Sequence, residues 1–226
     1  MTIGFRIHPR ARQVEAGLVA RFRDLPVANV SDVMSRMTAG GARLRPMHAP
    51  GVVLAGPALT VKTRPGDNLM IHKAIGLAEP GDVIVVDAGG DLTNALIGEL
   101  MLAQMVKKGL GGIVINGAIR DSAAIREQPF PVFAAGVTHR GPYKDGPGEI
   151  NVPIAIDGMV IEPGDLVIGD EDGFLCVPFD DVERLLAAAH QKQAAETVMV
   201  AGIKDGSYDR AWVDATLTRL GCFIEP

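Results

Sequence analysis

Between Asp82 and Asp87 lie four consecutive β-branched residues, Val83-Ile84-Val85-Val86. Such a run has no polar side to turn toward water, so the strand it predicts must be covered on both faces. Gly89 and Gly90 end it, and Gly112 to Ile115 predicts a second buried strand. Between them, Leu100 to Lys108 is apolar on most faces and predicts a buried helix. Lys107 and Lys108 suit the negative end of its dipole, and Gly109 suits the position just past its last turn. These segments restrict the chain to a mixed α/β architecture.

The remaining pattern fits one such domain, with helical additions at both ends. Val14 to Phe22 predicts a short amphipathic helix ending before Pro26. Asn29, Ser31 and Asp32 read as a cap for a helix over Asp32 to Met37. Val52 to Val61 predicts two short strands bent at Gly56-Pro57. Asp67 and Asn68 introduce an amphipathic helix that Pro80-Gly81 stops. Asn116-Gly117 predicts a turn. Ile154 to Ile161 carries Asp157-Gly158 between apolar alternations, a hairpin signal. Leu166 to Ile168 and Phe174 to Val177 predict strands divided by an acidic turn. Asp180 to Val200 is a long alanine-rich helix, and Lys204 to Pro226 reads as irregular. Strict strand-helix alternation stops near residue 135. We expect one domain over residues 1–226, its core about 25–180 and its C-terminal helix and tail 180–226.

Composition narrows the function. The 226 residues carry a net charge of −5, which argues against a nucleic-acid partner. Cys176 and Cys222 are the only cysteines and have neither zinc spacing nor a disulfide framework. No run is long enough for a membrane span. Residues 1–12 have no apolar signal core, so a cytoplasmic location is expected. Phosphate-loop, dinucleotide, zinc-protease and serine-elbow motifs are all missing. Chemistry must therefore rest on carboxylates, arginine and backbone groups.

Two places could supply it. Gly98 in a helix interior would cost about 1 kcal/mol relative to alanine, so it fits better at a helix entrance. The N–H groups of Gly98, Glu99, Leu100 and Met101 would then form an anion site. Gly98 could equally be a packing glycine. Arg120 and Asp121 follow a strand, where ligands favour α/β folds. Arginine can bind an oxo or carboxylate oxygen and aspartate a hard cation. The same pair could be a surface ion pair or a helix cap.

The stretch Gly98-Glu99, Lys108-Gly109, Gly112 to Gly117 and Arg120-Asp121 resembles the class II pyruvate aldolases related to 4-hydroxy-4-methyl-2-oxoglutarate aldolase. These share their fold with the regulator of ribonuclease activity A. Their mark is an acid, twenty residues, then Arg-Asp, and here Glu99 and Arg120 enclose residues 100–119. The likeness extends over Asp67-Asn68-Leu69, His72, Pro80-Gly81-Asp82-Val83, Gly136, Pro163-Gly164-Asp165 and Asp172-Gly173. The resemblance implies an RraA-like swivelling β/β/α domain and metal-dependent release of pyruvate from 4-hydroxy-2-oxo acids. Oxaloacetate decarboxylation is the implied side activity. By similarity, Gly98 to Met101 would hold the pyruvate carboxylate, Arg120 the 2-oxo oxygen, and Asp121 a Mg²⁺ or Mn²⁺ ion. Glu99 would position a water that takes the C4 hydroxyl proton. Glu196 resembles a catalytic glutamate supplied by a neighbouring subunit of a homotrimer or homohexamer. Asp32, Asn68 and His72 match positions near the pocket entrance. Arg140 and Lys144 could meet a second substrate carboxylate. The alternatives are a protein-binding regulator on the same fold, or a small-acid sensing module without chemistry.

Overall fold

A computed structural model describes residues 4–37 and 41–223. In chain order, the first part contains β1 (Phe5–Ile7), α1 (Ala16–Phe22), α2 (Val27–Val33), β2 (Arg45–Pro46), β3 (Leu54–Thr63), α3 (Leu69–Leu77) and β4 (Val83–Asp87). Then come β5 (Ala95–Ile97), α4 (Glu99–Lys108), β6 (Gly112–Ile119), α5 (Ser122–Arg126), β7 (Val132–Val137) and β8 (Gly148–Ile150). The chain continues with β9 (Ile154–Ile156), β10 (Met159–Ile161), β11 (Leu166–Gly169), β12 (Phe174–Val177), α6 (Val182–Asp205) and α7 (Ala211–Arg219). The chain divides into two compact units, residues 1–189 and 190–226, and α6 begins in the first and ends in the second.

The first unit is built on a sheet in the order β1-β8-β3-β4-β6-β7-β2. Strands β3, β4, β6 and β7 run parallel, linked through α3, α4 and α5. The β4 side chains alternate between two cores. Val83 and Val85 join one formed by β9 to β12, α1, α2 and the start of α6. Ile84 and Val86 join the other, under α3, α4 and α5. Both faces are covered, which is why the strand carries no polar residue between its ends.

Several local expectations are corrected. Helix α2 starts at Val27, so Asp32 lies in its last turn and pairs with Arg36 at 2.7 Å. Pro26 ends the preceding segment, and the Val27 N–H is accepted by Asp170 Oδ2 at 2.9 Å, so the cap comes from the β11–β12 turn. Strand β3 runs through Gly56-Pro57 unbroken. Its first half pairs with β11, and from Ala58 it pairs with β4. Gly56 is needed because a Cβ there would lie 2.2 Å from the Gly81 carbonyl oxygen. Asn116-Gly117 is no turn but part of β6. The register with β7 shifts between Ile115 and Ala118, which absorbs the extra residue as a bulge. Helix α4 buries one face only, through Met101, Leu102 and Met105, while Leu100 and Val106 are exposed.

The hairpin at Asp157-Gly158 forms as read, with φ of 50° and 86° at its two central residues. Glu-Pro-Gly-Asp occurs twice, at 79–82 and 162–165, before β4 and β11. In both copies the aspartate side chain accepts the glutamate N–H, at 2.8 and 2.9 Å. The early arginines serve the fold: Arg6 pairs with Glu149, Arg10 with Asp82 and Arg12 with Asp180.

In the second unit, α7 occupies part of a tail that was expected to be irregular. Among the described residues, no helix is long and apolar enough to cross a membrane.

Candidate active site

Strand β5 leads straight into α4 through Gly98, which stands at the helix N-cap. The Gly98 backbone is extended, with φ −150° and ψ −167°, a conformation open to any residue. Its glycine is required by space, because a Cβ would lie 2.3 Å from Asp121 Oδ2 and 3.0 Å from Arg120 Cγ. The two sequence signals, separated by twenty residues, therefore touch.

Strand β6 delivers Arg120 and Asp121. Arg120 N–H donates to Ile97 O at 3.0 Å, which ties the end of β6 to β5. Asp121 then takes the left-handed conformation, φ 57° and ψ 38°, which aspartate tolerates better than most residues. Its Oδ2 accepts the Glu99 N–H at 3.0 Å and lies 3.7 Å from Arg120 Nε. The Asp121 side chain thus caps α4, while at the N-cap position of α5 it makes no side-chain bond to that turn. No bond to the other oxygen, Oδ1, occurs among the described residues.

Of the first-turn donors of α4, Leu102 N–H bonds Gly98 O, and Glu99 N–H is taken by Asp121. The N–H groups of Leu100 and Met101 have no protein acceptor among the described residues. Both residues line a cleft of about 180 Å³ with Gly98, Arg120, Asp121 and Lys144. Asn68 and His72, on the α3 side, line it too. Asn68 donates through Nδ2 to Leu96 O at 2.8 Å, while its buried Oδ1 has no hydrogen-bond partner among the described residues. Burial and, secondarily, the Lys144 charge lower the pKa of His72 below the usual histidine value.

Placement of the expected residues is uneven. Gly98, Leu100, Met101, Arg120 and Asp121 converge on one cleft. Glu99 is exposed at the first position of α4 and does not line the cleft. Glu196 belongs to the second unit and pairs with Lys192 at 2.9 Å along α6. Lys144 reaches the cleft, whereas Arg140 contributes its carbonyl to Ala95 N–H and does not line it. Gln104 and Pro142 line the cleft without a sequence signal that singles them out. For Gln104 the available hint is its place four residues after Leu100, on the same helix face.

Asp121 is the one carboxylate among the cleft-lining residues, and no cluster of three acidic, histidine or cysteine ligands occurs among the described residues. That donor set suits a hard cation held mainly by water and substrate oxygens, as Mg²⁺ and Mn²⁺ are, and does not suit a structural zinc ion.

A mixed α/β domain with this cleft at the ends of its parallel strands belongs to a class known from other proteins. Residues 27–176 match the family described as RraA-like, Aldolase/RraA, and the chain belongs to that family. A protein of Halalkalibacterium halodurans, named "Putative 4-hydroxy-4-methyl-2-oxoglutarate aldolase", is 40% identical over 193 residues, covering 85% of this chain and 91% of the relative. A Thermus thermophilus protein named 4-hydroxy-4-methyl-2-oxoglutarate aldolase is 37% identical over 112 residues, covering 50% of this chain and 68% of its own length. Among solved structures, the RNA-processing inhibitor RraA from Thermus thermophilis superposes with a TM-score of 0.63 at 29% identity, covering 69% of this chain and 93% of that one. The aldolase-named relatives support a lyase role.

Proposed function

We propose that the cleft catalyses divalent-metal-dependent retro-aldol cleavage of 4-hydroxy-2-oxo acids, of the 4-hydroxy-4-methyl-2-oxoglutarate or 4-carboxy-4-hydroxy-2-oxoadipate type, with release of pyruvate. The observation that carries this is the meeting of Arg120, Asp121 and two unpaired helix N–H groups in one cleft.

The N–H groups of Leu100 and Met101 bind the pyruvyl carboxylate at the positive end of α4. Arg120 donates to the 2-oxo oxygen and offsets the enolate charge that develops as the C3–C4 bond breaks. Asp121 would hold a divalent ion, which would supply Lewis-acid polarisation of the substrate there. Glu99 stands at the helix entrance, where it can hold a water that accepts the C4 hydroxyl proton. Lys144 faces the second carboxylate of a dicarboxylic substrate. Decarboxylation of oxaloacetate yields the same enolate and is the expected side reaction. The assembly is a homotrimer or homohexamer in which Glu196 serves a neighbouring subunit's site.

The test is pyruvate release from 4-hydroxy-4-methyl-2-oxoglutarate, coupled to lactate dehydrogenase, with Mg²⁺, with chelator and with Asp121→Ala. Turnover that needs metal and disappears in the variant supports the reading. No turnover on this substrate, on 4-carboxy-4-hydroxy-2-oxoadipate or on oxaloacetate removes it, and a non-catalytic regulator then fits the fold better.

A further inference from the structure

Asp67 is completely buried and does not line the cleft. Both of its carboxylate oxygens accept hydrogen bonds. Oδ1 accepts the Leu69 N–H at 2.9 Å. Oδ2 accepts the Asp145 N–H at 2.7 Å, the Gly146 N–H at 2.9 Å and Arg64 Nη2 at 3.0 Å. Burying a carboxylate is costly unless donors replace its water, and here two come from a loop that the chain reaches only much later.

Those bonds fall on either side of one residue. The Tyr143 carbonyl, in the peptide unit before Lys144, accepts the Asn68 N–H at 3.0 Å. The Asp145 N–H, in the peptide unit after Lys144, donates to Asp67. Residues 67 and 68 thus fix both peptide planes that set the backbone angles of Lys144. Tyr143 N–H also donates to Gly66 O at 2.8 Å, and Arg64 stacks 5.6 Å above the Tyr143 ring. Lys144 is exposed but lines the same cleft as Arg120.

We infer that Asp67 is a positioning residue for substrate specificity: it clasps the loop over residues 142–147 and thereby aims Lys144 at the distal carboxylate of a dicarboxylic substrate. This rests on the aldolase reading. Only a carboxylate offers acceptors on both oxygens, one toward α3 and one toward the loop. Asparagine presents an amide hydrogen to one side or the other.

The experiment is steady-state kinetics of the full chain with Asp67→Asn, Lys144→Met and the double variant. The KM for 4-hydroxy-4-methyl-2-oxoglutarate rises roughly tenfold in each single variant, the scale of one hydrogen bond to a charged group. The inhibition constant of pyruvate, which lacks the second carboxylate, does not follow it. The double variant is no worse than Lys144→Met alone. A purely structural role would raise both constants together in Asp67→Asn, and that result overturns the inference. So does an unchanged KM in either single variant. If Asp67→Asn does not fold by circular dichroism, Arg64→Gln weakens the same clasp from a half-exposed position and must show the same split, or the inference fails. If the unaltered protein releases no pyruvate, the aldolase reading itself is wrong and this inference falls with it. Failure of the split in an active enzyme overturns the positioning role alone.

Discussion

Gly98 and Asp121 occupy each other's space, so a single methyl group tests the site. Gly98→Ala would push the Asp121 carboxylate aside without touching either core. A displacement near 1 Å in a reacting constellation costs about 100-fold in rate, and kcat/KM for pyruvate release should fall by roughly that factor while Tm stays close to the parent value. His72 reports on the opposite wall. Its pKa is lowered first by burial and then by Lys144, so Lys144→Met should raise it, as read by a proton NMR titration. The sign is fixed: the unfolded chain binds this proton more readily, so the group lowers stability as pH falls through the ordinary histidine range. The pairs Gly98-Glu99 and Arg120-Asp121, which the fold brings together, could be singled out because their spacing is a sequence property. The work of Asp67 was not, because its loop donors at 145 and 146 are brought to it only by the fold. Asn68 Oδ1, without a donor among the described residues, was equally hidden, since sequence shows an acceptor but not its lack of a donor.

The Glu-Pro-Gly-Asp turn, used twice, shows how an element is launched. In each copy glycine takes a positive φ, 89° or 91°, and the aspartate closes the turn before a buried strand begins. Asp165 does more, since it also accepts the Phe179 N–H at 2.9 Å and contacts Cys176 Sγ at 3.5 Å. Its burial next to that carboxylate also raises the Cys176 pKa well above the usual thiol value. Asp165→Ala should therefore destabilise the protein by about 3 kcal/mol, the cost of leaving buried donors unpaired, as measured by urea denaturation. Elements whose ends are set locally were read correctly: α4 between Gly98 and Gly109, and the Asp157-Gly158 hairpin. Elements whose ends are set from far away were not. Helix α2 is capped by Asp170, and β3 stays straight at Gly56-Pro57 because β11 and β4 hold its two halves.

The first unit stacks two apolar layers on opposite faces of one sheet, and the continuous β-branched run of β4 made that legible before any coordinate. The strand order was not legible, since apolar runs carry burial but no pairing partner. Phe133 is fully buried in the first layer against Phe174 and His48. Phe133→Ala should cost about 3–5 kcal/mol, read as a shift in the urea midpoint at constant m-value. Strand β3 is common to both layers, with Leu54, Ala55 and Ala58 in one, Leu59 and Val61 in the other, and β4, β8 and β11 as neighbours. Neither layer can open without tearing this strand from a partner. Its backbone amides should be the last in the first unit to exchange with deuterated water, and their exchange rates should follow the free energy of opening the whole unit. Residues 54–63 are then its clock, and any variant that slows or hastens that clock changes the lifetime of both layers at once.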